Sequence, residues 1–251
     1  MDVNITGVRI YFTIPVLGGI PITATLINAW LVMALVTGFC IWLTHGMQIY
    51  ANTKRQHIAE WIVGTVTNWV RGNMGQRYAQ TSFAAFIAAL FAMSALSSLL
   101  SLFGLYPPTA DLSTTAGWSV MVFVMITYTK IRTNKISGYL KGLTEPVPLL
   151  TPLNIISELS TPLSMAFRHF GNIASGQVVG ALIYAALLGL NQVIFGWLPG
   201  AFGEALSVIP FAQVGIPAVL SLYFDLFAAI MQAFIFCMLT MNYISAAAET
   251  E

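Results

Sequence analysis

Between Leu26 and His45 the sequence reads LINAWLVMALVTGFCIWLTH, with no aspartate, glutamate, lysine or arginine. A helix needs about 20 such residues to cross a hydrocarbon core roughly 30 Å thick, so this stretch predicts a membrane span. Further apolar stretches follow at 81–105, 113–129, 162–190 and 209–246. Composition agrees: 57% of residues are hydrophobic and 8% charged, where soluble domains carry about 25% charged. The predicted fold is an all-α integral membrane protein, a single membrane domain over 1–251 with about five transmembrane helices. Residues 1–25, with an early acid and scattered Gly and Pro, are expected to form an outer N-terminal segment and not a cleaved signal peptide.

The segments between the spans differ in kind. Residues 46–80 mix Lys54, Arg55, Arg71 and Arg77 with Ile58, Trp61, Ile62, Val66, Trp69 and Val70 at helical spacing. That pattern predicts an amphipathic helix on the membrane surface, with its tryptophans at headgroup depth. The connection YPPTADLSTT is expected to be a short exposed loop, broken by its prolines, with Asp111 or Ser113 capping the next helix. Residues 130–161 are polar and punctuated by proline, so they are expected to lie along the surface, with the fourth helix starting near Pro162 or, through a kink, from Asn154. The fifth is expected from about Ile209, with a kink at Pro217. The last two helices, roughly 29 and 37 residues or about 44 and 55 Å, exceed the hydrocarbon thickness and must tilt or bend.

Basic residues orient the chain. Eight of the ten, Lys54, Arg55, Arg71, Arg77, Lys130, Arg132, Lys135 and Lys141, fall in two connections on one side. The positive-inside rule makes that side cytoplasmic, which puts the N-terminus outside and the C-terminus inside. A net charge of +1 gives no basis for nucleic-acid binding. Cys40 and Cys237 each sit in an apolar run and are expected to act as small hydrophobes without a disulfide.

The fourth span holds the sequence's sharpest anomaly, Arg168 in PLSMAFRHFGNIASGQ. A guanidinium at the centre of a spanning helix costs roughly 2.5–3.5 kcal/mol and cannot shed its proton. At about 100° per residue, Ser164, Asn172 and Ser175 fall within about 40° of Arg168, with Gly171 at the edge, so the arginine lies on a stripe of small and polar groups. Such a stripe suits protein or water. The competing reading is a structural arginine, paired to a carboxylate or snorkelling to headgroups, although no acid lies within one turn. Asp225, in SLYFDLFAAIMQ, is a second isolated charge, and Ser221, Gln232 and Tyr243 share its face within about 40°. Its competing reading is a core hydrogen-bonding role. Gln177 lies about 180° from Arg168 and would approach Asp225 if the last two helices pack together.

His45, His57 and His169 have no metal-ligand spacing, so packing or interfacial roles are expected. There is no phosphate loop, nucleophile constellation or soluble catalytic domain, so the chain alone is expected to be non-catalytic, with neither cofactor nor metal.

The run PLNIISELSTPLSMAFRHFGNIASGQ resembles the signature of subunit a of the F-type ATP synthase, in which a proline-containing elbow leads into a helix with Arg, Phe-Gly-Asn and a following Gly. ITATLINAWLVMAL, YPPTADLSTT, SGYLKGLTEPVP and MQAFIFCMLTMNYISAAAE extend the similarity over nearly the whole chain. The resemblance implies a stator subunit in a multi-pass position, expected in a bacterial plasma membrane, whose partners are a ring of c subunits and a b-subunit peripheral stalk. Its last two helices would form a hairpin against the ring. H+ or Na+ would reach the ring through two aqueous half-channels, separated by Arg168, whose fixed positive charge favours the deprotonated form of each passing ring carboxylate.

Residue by residue, Arg168, Asn172, Gln232 and Glu158 match the family's commonest form. Gln177 stands where many members carry Glu or His, and Asp225 where many carry His or Glu. The resemblance therefore implies ion-translocation roles for Arg168, Asn172, Gln177, Asp225 and Gln232, with Asp225 the titratable group of the outer half-channel. Glu158, Ser164, Ser175, Ser221 and Tyr243 are candidate half-channel lining, with a surface role the alternative for Glu158. Ser98 replaces a common Asn and Thr161 a common Lys. Two rivals come from other classes: a self-contained secondary transporter using Arg168 and Asp225 by alternating access, and a scaffold in which those two residues fix helix register.

Overall fold

The structure, a computed structural model, describes residues 8–15, 19–49, 53–79, 82–145, 147–195, 219–220 and 222–249. The described chain opens with an antiparallel hairpin, β1 (Ile10–Ile14) and β2 (Ile20–Thr23). Helices follow: α1 (Ala24–Thr44), α2 (Lys54–Met74), the single turn α3 (Gln76–Ala79), α4 (Ser82–Leu99), α5 (Leu112–Thr144) and α6 (Thr151–Phe195). A π-helical turn over Leu222–Phe227 leads into α7 (Ala228–Ala248). Among the described residues five helical stretches are long and apolar enough to cross a membrane: Ala24–Thr44, Ser82–Phe103, Leu112–Thr144, Pro148–Asn191 and Leu222–Ala248. The start of the fifth span at Ile209 and the kink at Pro217 lie outside the described residues.

The core forms where α2, α4, α5, α6 and α7 meet, around Val70, Ile87, Val122, Met165, Phe236 and Met241. α2 is only partly a surface helix. Trp61 is exposed, but Trp69 turns into the bundle, where its ring stacks on Phe234 at 5.2 Å and meets the edge of Phe91. Large rings with a bundle face available bury more area there than at a headgroup layer.

Two expectations are corrected. The outer connection is not exposed: Pro107, Pro108, Thr109 and Ala110 are buried. Polar partners fix it there, with Asn28 Nδ2 donating to the Tyr106 carbonyl at 2.8 Å and Ser98 Oγ 2.9 Å from Thr109 Oγ1. Thr25 Oγ1 donates to Asp111 Oδ2, while Asp111 Oδ1 accepts from the Ser113 N–H and so caps α5. Burial, and after it the Asp111 charge, pushes the Tyr106 phenol above its ordinary value.

The second correction concerns 130–161, which does not form a separate segment but extends the helices on either side, in keeping with the earlier start from Asn154 for the fourth. Lys130–Thr144 completes α5, and α6 begins at Thr151 and runs through Pro162. A proline removes one N–H and loosens one turn. Here Ser160 and Thr161 hydroxyls donate to the carbonyls of Ile156 and Ser157, supplying bonds in that turn. α5 does break, at Lys135, whose φ of 59° and ψ of 170° occupy a region that is essentially glycine's.

Candidate functional site

α6 carries two faces. Met165, Ala166, His169 and Ile173 are buried against the bundle, whereas Ser164, Arg168, Asn172 and Ser175 are exposed. Residues spaced by three and four share a helix face, so burying the first set turns the second outward. Among the described residues Arg168 makes neither an ion pair nor a hydrogen bond, and Asp225 makes neither. The direct internal pair assumed by a scaffold reading is therefore absent among them.

The neutral groups around the arginine are organised. Asn172 Nδ2 donates to Gln232 Oε1 at 3.1 Å, joining α6 to α7, and Ser175 Oγ donates to the Asn172 carbonyl. Gln232 is buried, so its amide needs that partner. Farther along, α6 closes on the π-helical turn at Gly176. A methyl group there would already touch Phe224, at 3.6 Å. Gln177 and Asp225 are the next residues along their two segments, and both are half-buried, but no hydrogen bond joins them. Ser221 lies outside the described residues.

Asp225 sits inside the π-helical turn, a local geometry that recurs at functional sites. An i→i+5 turn also interrupts the 100° wheel at Asp225, so the wheel no longer relates Asp225 to Gln232 and Tyr243, which both follow on α7 and still share a face. Gln232 meets Asn172. Tyr243 lies near the far end of α7, beside a cavity of about 650 Å³ between α5, α6 and α7.

That cavity is centred on Glu158. Lys130 Nζ donates to Glu158 Oε1 at 2.8 Å and the Tyr139 hydroxyl to Oε2 at 3.1 Å, and Asn154, Thr161 and Tyr243 are among the other polar residues lining the cavity, with Glu145 and Glu249 adding two carboxylates. The Glu158 side chain is 11% exposed. Lys130 and Tyr139 were not anticipated. They are nine residues apart, so on an unbroken helix they would point about 180° apart. The break at Lys135 is what lets both reach one carboxylate. A lysine in a glycine conformation leaves no trace in hydropathy or periodicity.

His45 and His57 are exposed, and His169 is buried. Among the described residues no group of three or more His, Cys, Asp or Glu could hold a metal ion, and both cysteines are free.

The chain matches the family model described as ATP synthase A chain over residues 26–245. It is 31% identical over 240 residues to the sodium ion specific ATP synthase subunit a of Propionigenium modestum, covering 90% of this chain and 74% of that protein. ATP synthase subunit a of Moorella thermoacetica is 31% identical over 232 residues, 91% of this chain and 92% of that protein. The corresponding protein of Desulforamulus reducens is 29% identical over 227 residues, 90% of this chain and 80% of that protein.

Proposed function

The chain belongs to the ATP synthase A chain family, and on that premise we propose that Arg168 is the charge barrier between two half-channels that lead ions to a rotating c ring. Membership carries the coarser role: a multi-pass stator subunit of the membrane sector, engaged in ion transport coupled to ATP synthesis. The finer reading rests on one observation. Arg168 is exposed on α6 among small neutral side chains and has no partner among the described residues. A permanent cation in that setting is costly unless a carboxylate from another subunit meets it.

In this reading each ring carboxylate arrives loaded, gives up its ion as it approaches Arg168, and is reloaded beyond it. The guanidinium stabilises the deprotonated form in between. Because Arg168 carries a fixed positive charge, it also blocks direct passage of cations from one half-channel to the other. Each elementary charge crossing about 100 mV releases about 2.3 kcal/mol, so several must pass per turn to drive ATP synthesis. Asp225 is the titratable group of the outer half-channel, with Gln177 its neutral companion. The cavity around Glu158 supplies the inner one. Asn172 and Gln232 brace the face between them. The transported ion is H+ or Na+, and the Propionigenium modestum relative, whose name specifies sodium, keeps Na+ in view. The b-subunit stalk, a bacterial plasma membrane and an outside N-terminus complete the proposal. The last follows from the placement of the basic residues.

The test is ATP-driven ion pumping in inverted vesicles bearing Arg168→Ala, with assembly verified by co-purification of the ring. Loss of pumping with passive ion leakage is expected, and normal pumping would overturn the reading. In the same vesicles Asp225→Asn is expected to slow pumping and alter its pH profile. An unchanged rate and profile would remove Asp225 from the outer path.

A further inference from the structure

Over the stretch from Met165 to Ile173, His169 is the one polar residue that α6 buries. Three other helices grip it. Its Nε2 lies 3.2 Å from Ser94 Oγ on α4. The imidazole lies perpendicular to the ring of Trp118 of α5, with centroids 5.9 Å apart, and to that of Phe236 of α7, with centroids 5.4 Å apart, the interplanar angle being 87° in each case. Its Nδ1 is buried and has no partner among the described residues. An orphaned lone pair is better tolerated than an orphaned N–H, which assigns the proton to Nε2 and makes Ser94 Oγ its acceptor.

An imidazole is a poor choice for simply filling this space, since one nitrogen stays unsatisfied. What it adds is direction. Apolar contacts are non-directional and permit a helix to roll about its axis. A hydrogen bond and two edge-to-face contacts from three separate helices fix one rotation. Consecutive helical residues are about 100° apart, so the rotation that seats His169 also determines where Arg168 points. We propose that His169 is a positioning residue for ion translocation: clamped by Ser94, Trp118 and Phe236, it locks the roll of α6 and thereby aims Arg168 out of the bundle. The inference rests on the arginine-barrier reading above.

The test uses assembled complexes in inverted vesicles carrying His169→Leu, His169→Gln or Ser94→Ala. Ions pumped per ATP hydrolysed and passive leak are measured per assembled complex. A merely structural role would lower the amount of complex without moving that ratio. His169→Leu fills the space without the hydrogen bond, and the ratio is expected to fall by about tenfold, since a misplacement of about 1 Å can cost more than that. Ser94→Ala should move it in the same direction by less. His169→Gln, which brings an amide N–H to the place of Nε2, should restore it. A wild-type ratio in His169→Leu, or a His169→Gln complex as uncoupled as His169→Leu, overturns the proposal. If His169→Leu does not assemble, Ser94→Ala decides, and a wild-type ratio there overturns it equally. Should Arg168→Ala abolish pumping while these variants stay coupled, only the role of His169 fails. If Arg168→Ala pumps normally, the barrier reading fails first.

Discussion

Glu158 and Arg168 stand ten residues apart on the same helix, about 15 Å along its axis, and they are treated in opposite ways. Both Glu158 oxygens are engaged within the chain, by Lys130 and by Tyr139, beneath a largely closed surface. Arg168 is exposed and has no partner among the described residues. A charge whose partner is built in is self-sufficient, and its pair survives whatever passes outside. A charge left open on an apolar helix needs a complement from outside the chain, from water, headgroups or another subunit, and in the proposed mechanism it exchanges one such complement for the next. That difference separates a residue that shapes a cavity from one that can serve a moving partner.

Giving Arg168 an internal partner would erase the difference and should have the largest effect. Asn172 is four residues farther along, and side chains at that spacing have Cβ atoms roughly 5–6 Å apart, within pairing distance. In the proposed mechanism the carboxylate of Asn172→Asp would compete with the ring for the guanidinium. ATP-driven pumping in inverted vesicles is expected to fall by about tenfold or more, since each 1.4 kcal/mol of competing attraction is worth that factor. Asn172→Ala is the control, because it too loses the hydrogen bond to buried Gln232, at about 1–3 kcal/mol for the stranded amide, without adding a carboxylate. Equal pumping by the two variants would mean that an open arginine is not what the mechanism requires.

The two regions were also unequally legible. The stripe of Ser164, Arg168, Asn172 and Ser175 follows from a 100° wheel because α6 is continuous there, and the structure exposes all four. At Glu158 the same reasoning goes only part of the way. Sequence left two starts open for the fourth helix, Pro162 or a kinked continuation from Asn154, and the structure follows the second, running through Pro162 from Thr151 with serine and threonine hydroxyls supplying bonds in the loosened turn. Lys130 and Tyr139 converge only because the backbone breaks at Lys135. Tyr243, singled out as lining beside Glu158, does border the same cavity, but the π-helical turn removes the wheel that tied it to Asp225. The burial of Pro107, Pro108, Thr109 and Ala110 was illegible for a related reason. Prolines and short polar residues have loop propensities whether or not Ser98 and Asn28 are waiting to receive them. Periodicity reports regular backbone and goes silent where tertiary partners bend it.

Lys130→Met opens the comparison from the other end, with a smaller expected effect. It leaves the mostly enclosed Glu158 side chain held only by Tyr139, and stranding a buried partner costs about 1–3 kcal/mol. The thermal midpoint of the purified complex should drop, and pumping should slow by a few fold, about one kcal/mol in barrier terms. Adding Glu158→Gln removes the stranded carboxylate, so the double variant should regain most of the lost stability, with a coupling energy inside the 0.5–3 kcal/mol range of contacting pairs. Pumping then decides what Glu158 is for. A double variant that is stable again but still slow would mean that ions use the Glu158 carboxylate in the inner half-channel. One that recovers both would reduce the Lys130–Glu158 pair to a clasp between α5 and α6, and the inner path would have to run along the Thr161 and Tyr243 side of the cavity instead.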